Sequence, residues 1–244
     1  MHLRSRPYES NSIRSSKTRL ARILRRAGKS ARVTRRGRPY DRPAAYAEPG
    51  QRPNGSDRSA SSAGSHAPKM IDCGVCSIRP WMSGDEVSLR RHADDREIWL
   101  NLRDRFPHPY TEHDARRWIE VASTADPLTN FAIEVGGEAV GGIGLVLHDD
   151  IERVSAEIGY WSGRTYWGRG IMTAAVRGLT RYGFQNFDLT RIYAVPFARN
   201  VASCRVLEKA GYVREGMMRR SAVKDGVVLD QILYAATDEE YRAG

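Results

Sequence analysis

Apolar positions divide the chain into a patterned part, from about residue 77 to the C-terminus, and residues 1–69, where apolar residues are scattered. In the patterned part, spacings of three and four residues predict helices, and alternation predicts strands. The predicted helices cover residues 85–103, 112–124, 171–184 and 200–210. The predicted strands cover residues 77–80, 130–135, 139–147, 153–161, 191–195, 217–224 and 227–235. Helices placed among strands in this order indicate a mixed α/β layer structure.

Local signals support several of these elements. Thr111 followed by Asp114 is typical of a capping box at the start of the second helix. The Gly-Gly pair at residues 136–137 and the Asp-Gly pair at residues 225–226 predict two-residue hairpin turns between neighbouring strands. Residues 77–244 are therefore expected to form one domain with a core of its own.

Charge is distributed unevenly between the two parts. Residues 1–69 carry 17 Lys and Arg against 4 Asp and Glu, a net charge of +13, so the whole chain's +10 leaves −3 for residues 70–244. The Ser-, Arg-, Gly- and Pro-rich composition predicts that residues 1–69 form a disordered extension.

Three interpretations of this basic extension are open. Its arginines suit nucleic acid or an anionic membrane surface. Its richness in Arg and Ser and its few acidic residues suit a targeting peptide. Alternatively, translation begins at Met70, where the composition changes, and the extension is not made.

Neither a run of about 18 apolar residues nor the apolar core of a signal peptide is present, so we expect no transmembrane helix and a cytoplasmic protein. Cys73 and Cys76 form a C-x-x-C pair, but a structural zinc site needs four ligands and no second pair follows. The sequence therefore favours two thiols without a functional role and no metal site. Three cysteines in all fit a reducing compartment.

The segment with the most chemical information is residues 157–179, EIGYWSGRTYWGRGIMTAAVRGL, in which a strand, a Gly-rich turn and a helix follow one another. Such a turn exposes backbone N–H groups at the positive end of a helix, and Gly168 and Gly170 lack the Cβ atoms that would keep a phosphate away. The dinucleotide pattern G-x-G-x-x-G fails at Thr173, and the P-loop pattern fails at Arg169. By itself the turn fits a dinucleotide, a nucleoside triphosphate or no ligand.

A second motif indicates which ligand the turn would bind. The run YAVPFARNVASCRVLEKAGY, residues 193–212, closely resembles the second cofactor motif of the GNAT superfamily, N-x-x-S-x-x-x-x-E-K-x-G-[FY]. The matching residues are Asn200, Ser203, Glu208, Lys209, Gly211 and Tyr212. The runs E-I-G-Y-W, Y-W-G-R-G and F-P-H-P-Y-T are similar to the branch that includes the RimJ/RimL ribosomal-protein acetyltransferases. The resemblance covers residues 77–242.

The resemblance implies an α/β fold with a mostly antiparallel sheet, splayed at its centre, and acetyl-CoA as co-substrate. Pantetheine would pair with the backbone of Ile158, Gly159 and Tyr160, and Asn200 would hydrogen-bond its arm. The pyrophosphate would lie on N–H groups of the turn. That turn comprises Thr165, Trp167, Gly168, Arg169, Gly170 and Ile171.

Two positions depart from the family pattern. The family has Gln or Arg where Thr165 stands, and the neighbouring Arg164 is expected to supply the charge. Leu207 replaces a Tyr that reprotonates the CoA thiolate in many relatives, so Ser203 becomes the candidate for that role.

The implied reaction is acetyl transfer to a primary amine, either a protein N-terminal α-amine or a small amine, by direct attack in a ternary complex. Glu157 is the candidate general base, acting through a water, and the N–H near Ile158 would polarise the thioester carbonyl. Acceptor specificity is expected in residues 90–110 and 223–230. The alternatives are a non-catalytic acyl-CoA sensor and a nucleic-acid-associated protein acting through residues 1–69; no pattern indicates the oligomeric state.

Overall fold

The computed structural model describes residues 70–243, with side chains through residue 241, so the predicted basic extension lies outside the described residues. The strands are β1 (Ile71–Asp72), β2 (Ser77–Pro80), β3 (Asn130–Val135), β4 (Glu138–Leu147), β5 (Ser155–Ser162), β6 (Arg191–Ala194), β7 (Val213–Lys224) and β8 (Val227–Thr237). The helices are α1 (Glu86–Ala93), α2 (Arg96–Trp99), α3 (Glu112–Thr124), α4 (Ile171–Asn186), α5 (Val201–Lys209) and α6 (Asp238–Ala243). Single 3₁₀ turns occur at Asp150–Glu152 and Arg164–Tyr166.

The eight described strands form one sheet in the order β1-β2-β3-β4-β5-β6-β8-β7. Neighbours are antiparallel except β5 and β6, which are parallel. The predicted mixed, mostly antiparallel sheet flanked by helices is confirmed. Within the described chain, no helix is both long and apolar enough to cross a bilayer.

Side chains alternate between the two faces of the sheet along each strand, and helices cover both faces. In β3, Phe131 and Ile133 belong to the main core with α4 and α5, whereas Ala132 between them belongs to a smaller core with α1 and α3. In β5, Ala156 and Ile158 point to the main core. Residues of β5 that alternate with them therefore face the α1 and α3 side.

One predicted helix is wrong in its extent. Instead of a single helix over residues 85–103, α1 ends at Ala93 and α2 begins at Arg96. The Asp94 carboxylate accepts a hydrogen bond from the Tyr110 backbone N–H at 2.9 Å, and Asp95, in an extended conformation, caps α2 by accepting from Glu97 N at 2.8 Å. These side chains compete with the helical hydrogen bonds and break the helix.

A buried ion-pair network fixes α1 on the sheet. The Arg79 guanidinium donates to both oxygens of Asp85, at 2.8 and 2.9 Å, and its Nε donates to Glu134. Arg79 and Asp85 are each 6% exposed, and the two carboxylates raise the pKa of the guanidinium further. Since Asp85 directly precedes α1, the network sets where that helix starts.

The helix start at Thr111 and two short terminal elements can be compared with the predicted pattern. The capping box of Thr111 and Asp114 is confirmed, with reciprocal hydrogen bonds at the start of α3. Neither β1, with two residues, nor α6 was predicted. β1 lies before residue 77, where the pattern placed the start of the domain, and it pairs with β2.

Candidate active site

The parallel strands β5 and β6 pair over only three residues each. Ser155, Ala156 and Glu157 lie opposite residues 191–193, after which β6 ends at Ala194 while β5 continues to Ser162. Within residues 70–243, no strand pairs with the β6-facing edge of β5 beyond Glu157. We call this edge, residues 158–162, the open edge. It presents backbone donors and acceptors to an extended ligand, and it is the splay that the family resemblance implied.

A Gly-rich turn follows the open edge and leads into α4. Gly168 and Gly170 have φ of +73° and +79°, and nothing lies within 4 Å of the position that a Cβ would take at either residue. Gly170 is the N-cap of α4 and offers no side chain to it, and the first intrahelical bond runs from Ala174 N to Gly170 O. The N–H groups of the first turn are therefore directed out of the helix end, as an anion site requires. We call residues 165–171 the anion cradle.

Two arginines lie next to the anion cradle, and one of them is close to an aspartate. The first turn of α4 contains no acidic residue. Arg169 is exposed and its guanidinium lies 5.4 Å from the centroid of the Tyr166 ring. Arg164 is also exposed, and it lies 3.6 Å from the Asp95 carboxylate at the start of α2. Both arginines thus lie beside the cradle.

Trp167 and Thr165 complete the cradle. The Trp167 indole N–H donates to Ser162 O at 2.9 Å, which ties the turn to the end of β5, and the ring is 48% exposed. Thr165 is exposed within the 3₁₀ turn. Ile171, by contrast, has a buried side chain, so only its backbone faces the cradle.

Glu157 lies where the two parallel strands separate. Its side chain is 16% exposed, and its Oε1 accepts a hydrogen bond from Arg103, which is half exposed. Oε2 has no hydrogen-bond partner among the described residues. The pattern of residues did not indicate Arg103 as a partner, because it lies 54 residues away in a loop after α2.

Gly159 leaves an open slot beside Glu157. Gly159 lies two residues after Glu157 in β5, so both residues face the same side of the sheet. It is exposed, and no atom would lie within 4 Å of a Cβ there. A ligand atom can therefore approach the strand backbone at Gly159 closely, within reach of the Glu157 carboxylate.

The other face of β5 is linked to α5 by hydroxyl groups. The Tyr160 hydroxyl lies 2.9 Å from Ser203 Oγ and also donates to Ser203 O at 3.3 Å. Burial raises the pKa of Tyr160, so its phenol keeps its proton. Asn200 caps α5, with Oδ1 accepting from Ser203 N at 3.1 Å, and its Nδ2 has no partner within residues 70–243.

The β7–β8 hairpin and residues 96–104 form a wall next to Arg103, the partner of Glu157. The residue pattern did not predict this wall. The tip of the β7–β8 hairpin reaches α2, where Asp225 pairs with Arg96 at 2.7 Å. Lys224 is 1% exposed, with Nζ 2.8 Å from the Asp104 carboxylate and 3.7 Å from the centroid of the Trp99 ring. The structure thus brings together residues 90–110 and 223–230, the two segments expected to carry acceptor specificity.

Comparisons with known proteins show the family of the chain. The acetyltransferase (GNAT) domain model matches residues 77–213, more than half of the chain. The chain belongs to the GNAT acetyltransferase family.

Individual GNAT proteins are similar to this chain in sequence or in structure. An uncharacterised N-acetyltransferase, p20 of Bacillus licheniformis, is 34% identical over 173 residues, which cover 68% of this chain and 94% of that protein. The ribosomal-protein-serine acetyltransferase of Escherichia coli K12 is 30% identical over 95 residues, 38% of this chain and 53% of that protein. RimJ of Mycobacterium smegmatis, solved with CoA-disulfide, superposes with a TM-score of 0.61 at 28% identity, covering 70% of this chain and 85% of that one.

The family assignment gives the class of enzyme and its co-substrate. This GNAT protein is an acetyltransferase, and acetyl-CoA is its co-substrate. RimJ and RimL are among its structural neighbours, as the family resemblance implied. Within the described residues, no group of three or more His, Cys, Asp or Glu side chains is arranged to hold a metal ion.

Proposed function

We propose that this protein transfers the acetyl group of acetyl-CoA to a primary amine, a protein N-terminal α-amine or a small amine, by direct attack in a ternary complex. The observation that supports it is the open edge of β5, which runs from Glu157 at one end to the anion cradle at the other. A thioester carried along that edge would present its carbonyl next to a carboxylate.

In this proposal acetyl-CoA binds as an added strand. Its pantetheine amides pair with the backbone of Ile158, Gly159 and Tyr160, and its pyrophosphate lies on the N–H groups of the anion cradle. Arg164 and Arg169 add positive charge beside the cradle, and the Asn200 amide hydrogen-bonds the pantetheine arm. The open Cβ positions of Gly159, Gly168 and Gly170 leave the room that such a ligand needs.

The chemical step in the proposal uses Glu157 as general base. The amine attacks the thioester carbon while a water passes its proton to Oε2, the carboxylate oxygen that Arg103 leaves unoccupied. The Ile158 N–H stabilises the developing oxyanion. The CoA thiolate leaves towards the other face of β5 and takes a proton from Ser203, which Tyr160 orients.

The class of acceptor in the proposal follows the named relatives. The Escherichia coli relative is a ribosomal-protein-serine acetyltransferase, so an N-terminal α-amine is the first acceptor to test. The wall of Trp99, Asp104 and Lys224 lies beside Arg103 and would contact the residues that follow the acceptor amine.

The domain division belongs to the proposal as well. Catalysis is assigned to residues 77–244, and residues 1–69 are left as an extension whose binding of nucleic acid, if it occurs, would be steeply salt-dependent. A reducing, cytoplasmic setting is also part of the proposal, because three cysteines in 244 residues are too few for a disulfide framework.

Substitution of Glu157 tests the proposal. In a thiol-release assay over N-terminal peptides, polyamines and aminoglycosides, Glu157→Gln should lower kcat by about 100-fold at neutral pH, with acetyl-CoA affinity unchanged. The matched control is Glu215→Gln, which removes a strand carboxylate paired with Arg191. An unchanged rate in Glu157→Gln would discard its role as base. Binding of acetyl-CoA without turnover on any amine would favour the acyl-CoA sensor instead.

A further inference from the structure

The hairpin of β1 and β2 places two cysteines side by side. Asp72 lies opposite Ser77 in the register, and the next pair, Cys73 and Cys76, closes the turn with Cys73 N donating to Cys76 O at 2.9 Å. Gly74, at φ +81°, allows the chain to reverse within these four residues. Each thiol donates to a backbone carbonyl, Cys73 Sγ to Ile71 O at 3.7 Å and Cys76 Sγ to Ile171 O at 3.6 Å. Directly opposed residues of an antiparallel pair have Cα atoms about 4.5–5.5 Å apart, which is within the range of disulfides, so the two cysteines are placed to form one with little movement of the backbone.

The hairpin is seated on the helix that begins at the anion cradle. The Cys76 thiol donates to the carbonyl oxygen of Ile171, the first residue of α4, at 3.6 Å. Farther along α4, a Cβ at Gly178 would lie 2.5 Å from Cys73 Sγ, so the helix and the outer sulfur are in close contact. A chemical change at either sulfur therefore alters its contact with α4.

The two thiols differ in exposure and in pKa, as the two members of a reactive pair do. Cys73 is half-buried, whereas Cys76 is 7% exposed and belongs to the main core. The neighbouring Cys76 side chain lowers the pKa of Cys73, whereas the Cys73 side chain and burial raise the pKa of Cys76. Cys73 is thus the accessible nucleophile and Cys76 the inner, resolving thiol.

We propose that Cys73 and Cys76 form a thiol–disulfide site that low-molecular-weight disulfides oxidise, and that its oxidation weakens binding at the anion cradle. The Cys73 thiolate attacks one sulfur of the small disulfide, forming a mixed disulfide and releasing one thiolate. The Cys76 sulfur, after giving up its proton, then attacks Cys73 Sγ and releases the second thiolate. Two protein thiols are oxidised to one disulfide, and one small disulfide is reduced to two thiols.

The effect on the anion cradle follows from the loss of a donor. In the disulfide, Cys76 has no S–H left to donate to Ile171 O, and Cys73 Sγ shifts against α4 at Gly178. Both contacts hold the helix whose first N–H groups form the cradle. We expect the oxidised protein to bind acetyl-CoA about three- to tenfold more weakly than the reduced protein. This second part rests on the proposed site for acetyl-CoA, whereas disulfide formation does not.

The first experiment tests the disulfide by mass spectrometry. The full chain is treated with glutathione disulfide, denatured, alkylated with N-ethylmaleimide and digested with trypsin. Residues 70–90 form one peptide that contains Cys73 and Cys76, because Arg79 precedes a proline, and Cys204 falls in residues 200–205. The first peptide should be unlabelled and about 2 Da lighter than its reduced form, and dithiothreitol should reverse the change. Cys204 should be labelled throughout.

The outcomes of that experiment are distinct. A peptide of residues 70–90 that takes up two labels, or that carries only bound glutathione, would overturn the disulfide. Cys73→Ser should retain at most one bound label and never show the internal disulfide, whereas Cys204→Ser should behave as the native chain.

The second experiment is calorimetric titration of acetyl-CoA into the reduced and oxidised full chain. Weaker binding to the oxidised form supports the coupling, and equal binding to both forms overturns it. If the reduced chain does not bind acetyl-CoA at all, the proposed cofactor site fails, while the mass measurement still decides the disulfide on its own.

Discussion

The hydroxyl of Tyr160 lies 2.9 Å from Oγ of Ser203, and this contact joins β5 to α5 across the splay of the sheet. Ser203 was indicated by the cofactor motif, but the hydroxyl of Tyr160 was not, because only its backbone was expected to matter. The neutral, partly buried phenol can hold Ser203 in one orientation. In the proposed reaction, Tyr160 and Ser203 would together pass a proton to the leaving thiolate.

Substitution of this hydroxyl pair should separate the two roles. Ser203→Ala should lower kcat by about 10- to 100-fold with little change in the acetyl-CoA KM, because the proton donor is lost. Tyr160→Phe removes the hydroxyl that positions that donor, so it should lower kcat by about threefold to tenfold. Since both act in one step, the double variant should be no slower than Ser203→Ala. Losses that multiply in the double variant would show that Tyr160 acts elsewhere.

A side chain at Gly159 should block the open edge without unfolding the protein. No atom lies within 4 Å of a Cβ there, and the backbone of β5 is extended, so Gly159→Val fits the fold but fills the slot beside Glu157. We expect acetyl-CoA affinity to fall at least about tenfold, with an unchanged melting temperature.

Gly216→Val is the matched control for that variant, because Gly216 also lies in a strand and has open space at its Cβ, but on β7 at the edge of the sheet. It should bind acetyl-CoA as the native chain does. Equal affinity in both variants would place the co-substrate away from Gly159.

Alkaline pH should destabilise the fold through buried tyrosines. Burial raises the pKa of Tyr212, whose hydroxyl lies 2.7 Å from Thr180 Oγ1 in the core. The native state then keeps a proton that the unfolded chain loses above about pH 10, so stability is present below that pH and falls as pH rises, by about 1.4 kcal/mol per pH unit for each such tyrosine. Urea unfolding at pH 8 and pH 11 measures this change.

Tyr212→Phe separates this effect from general alkaline damage. The variant should be less stable at pH 8, because Thr180 loses a partner, yet its stability should fall less steeply towards pH 11. An identical fall in the native protein and the variant would mean that Tyr212 does not carry the pH dependence.

Local chemistry could be predicted from the sequence, and contacts between distant segments could not. The capping box of Thr111 and Asp114 and the Gly-rich turn that leads into α4 depend on a few adjacent residues, and each was predicted correctly. The break between α1 and α2 was missed, because Asp94 gains its partner only when the Tyr110 backbone folds onto it.

The same distinction applies to the site. The open edge and the anion cradle lie in one continuous segment, which the family resemblance assigns to acetyl-CoA, and the role of its residues stays a prediction. Arg103 meets Glu157 across 54 residues, and Lys224, a charged side chain in a strand pattern, is buried against Trp99 only because the hairpin folds onto α2. No spacing along the chain indicates such pairs.

The most direct test of the account is calorimetric titration of acetyl-CoA into the reduced full chain, beside Gly168→Ala/Gly170→Ala. The control is Gly84→Ala, which places a Cβ at a positive φ in the turn before α1. We expect a Kd of about 10 µM or below for the native chain and for Gly84→Ala, and at least tenfold weaker binding for the double variant. Absence of binding to the native chain, or equal affinity in the double variant, would contradict the assignment of residues 165–171 as the cofactor site.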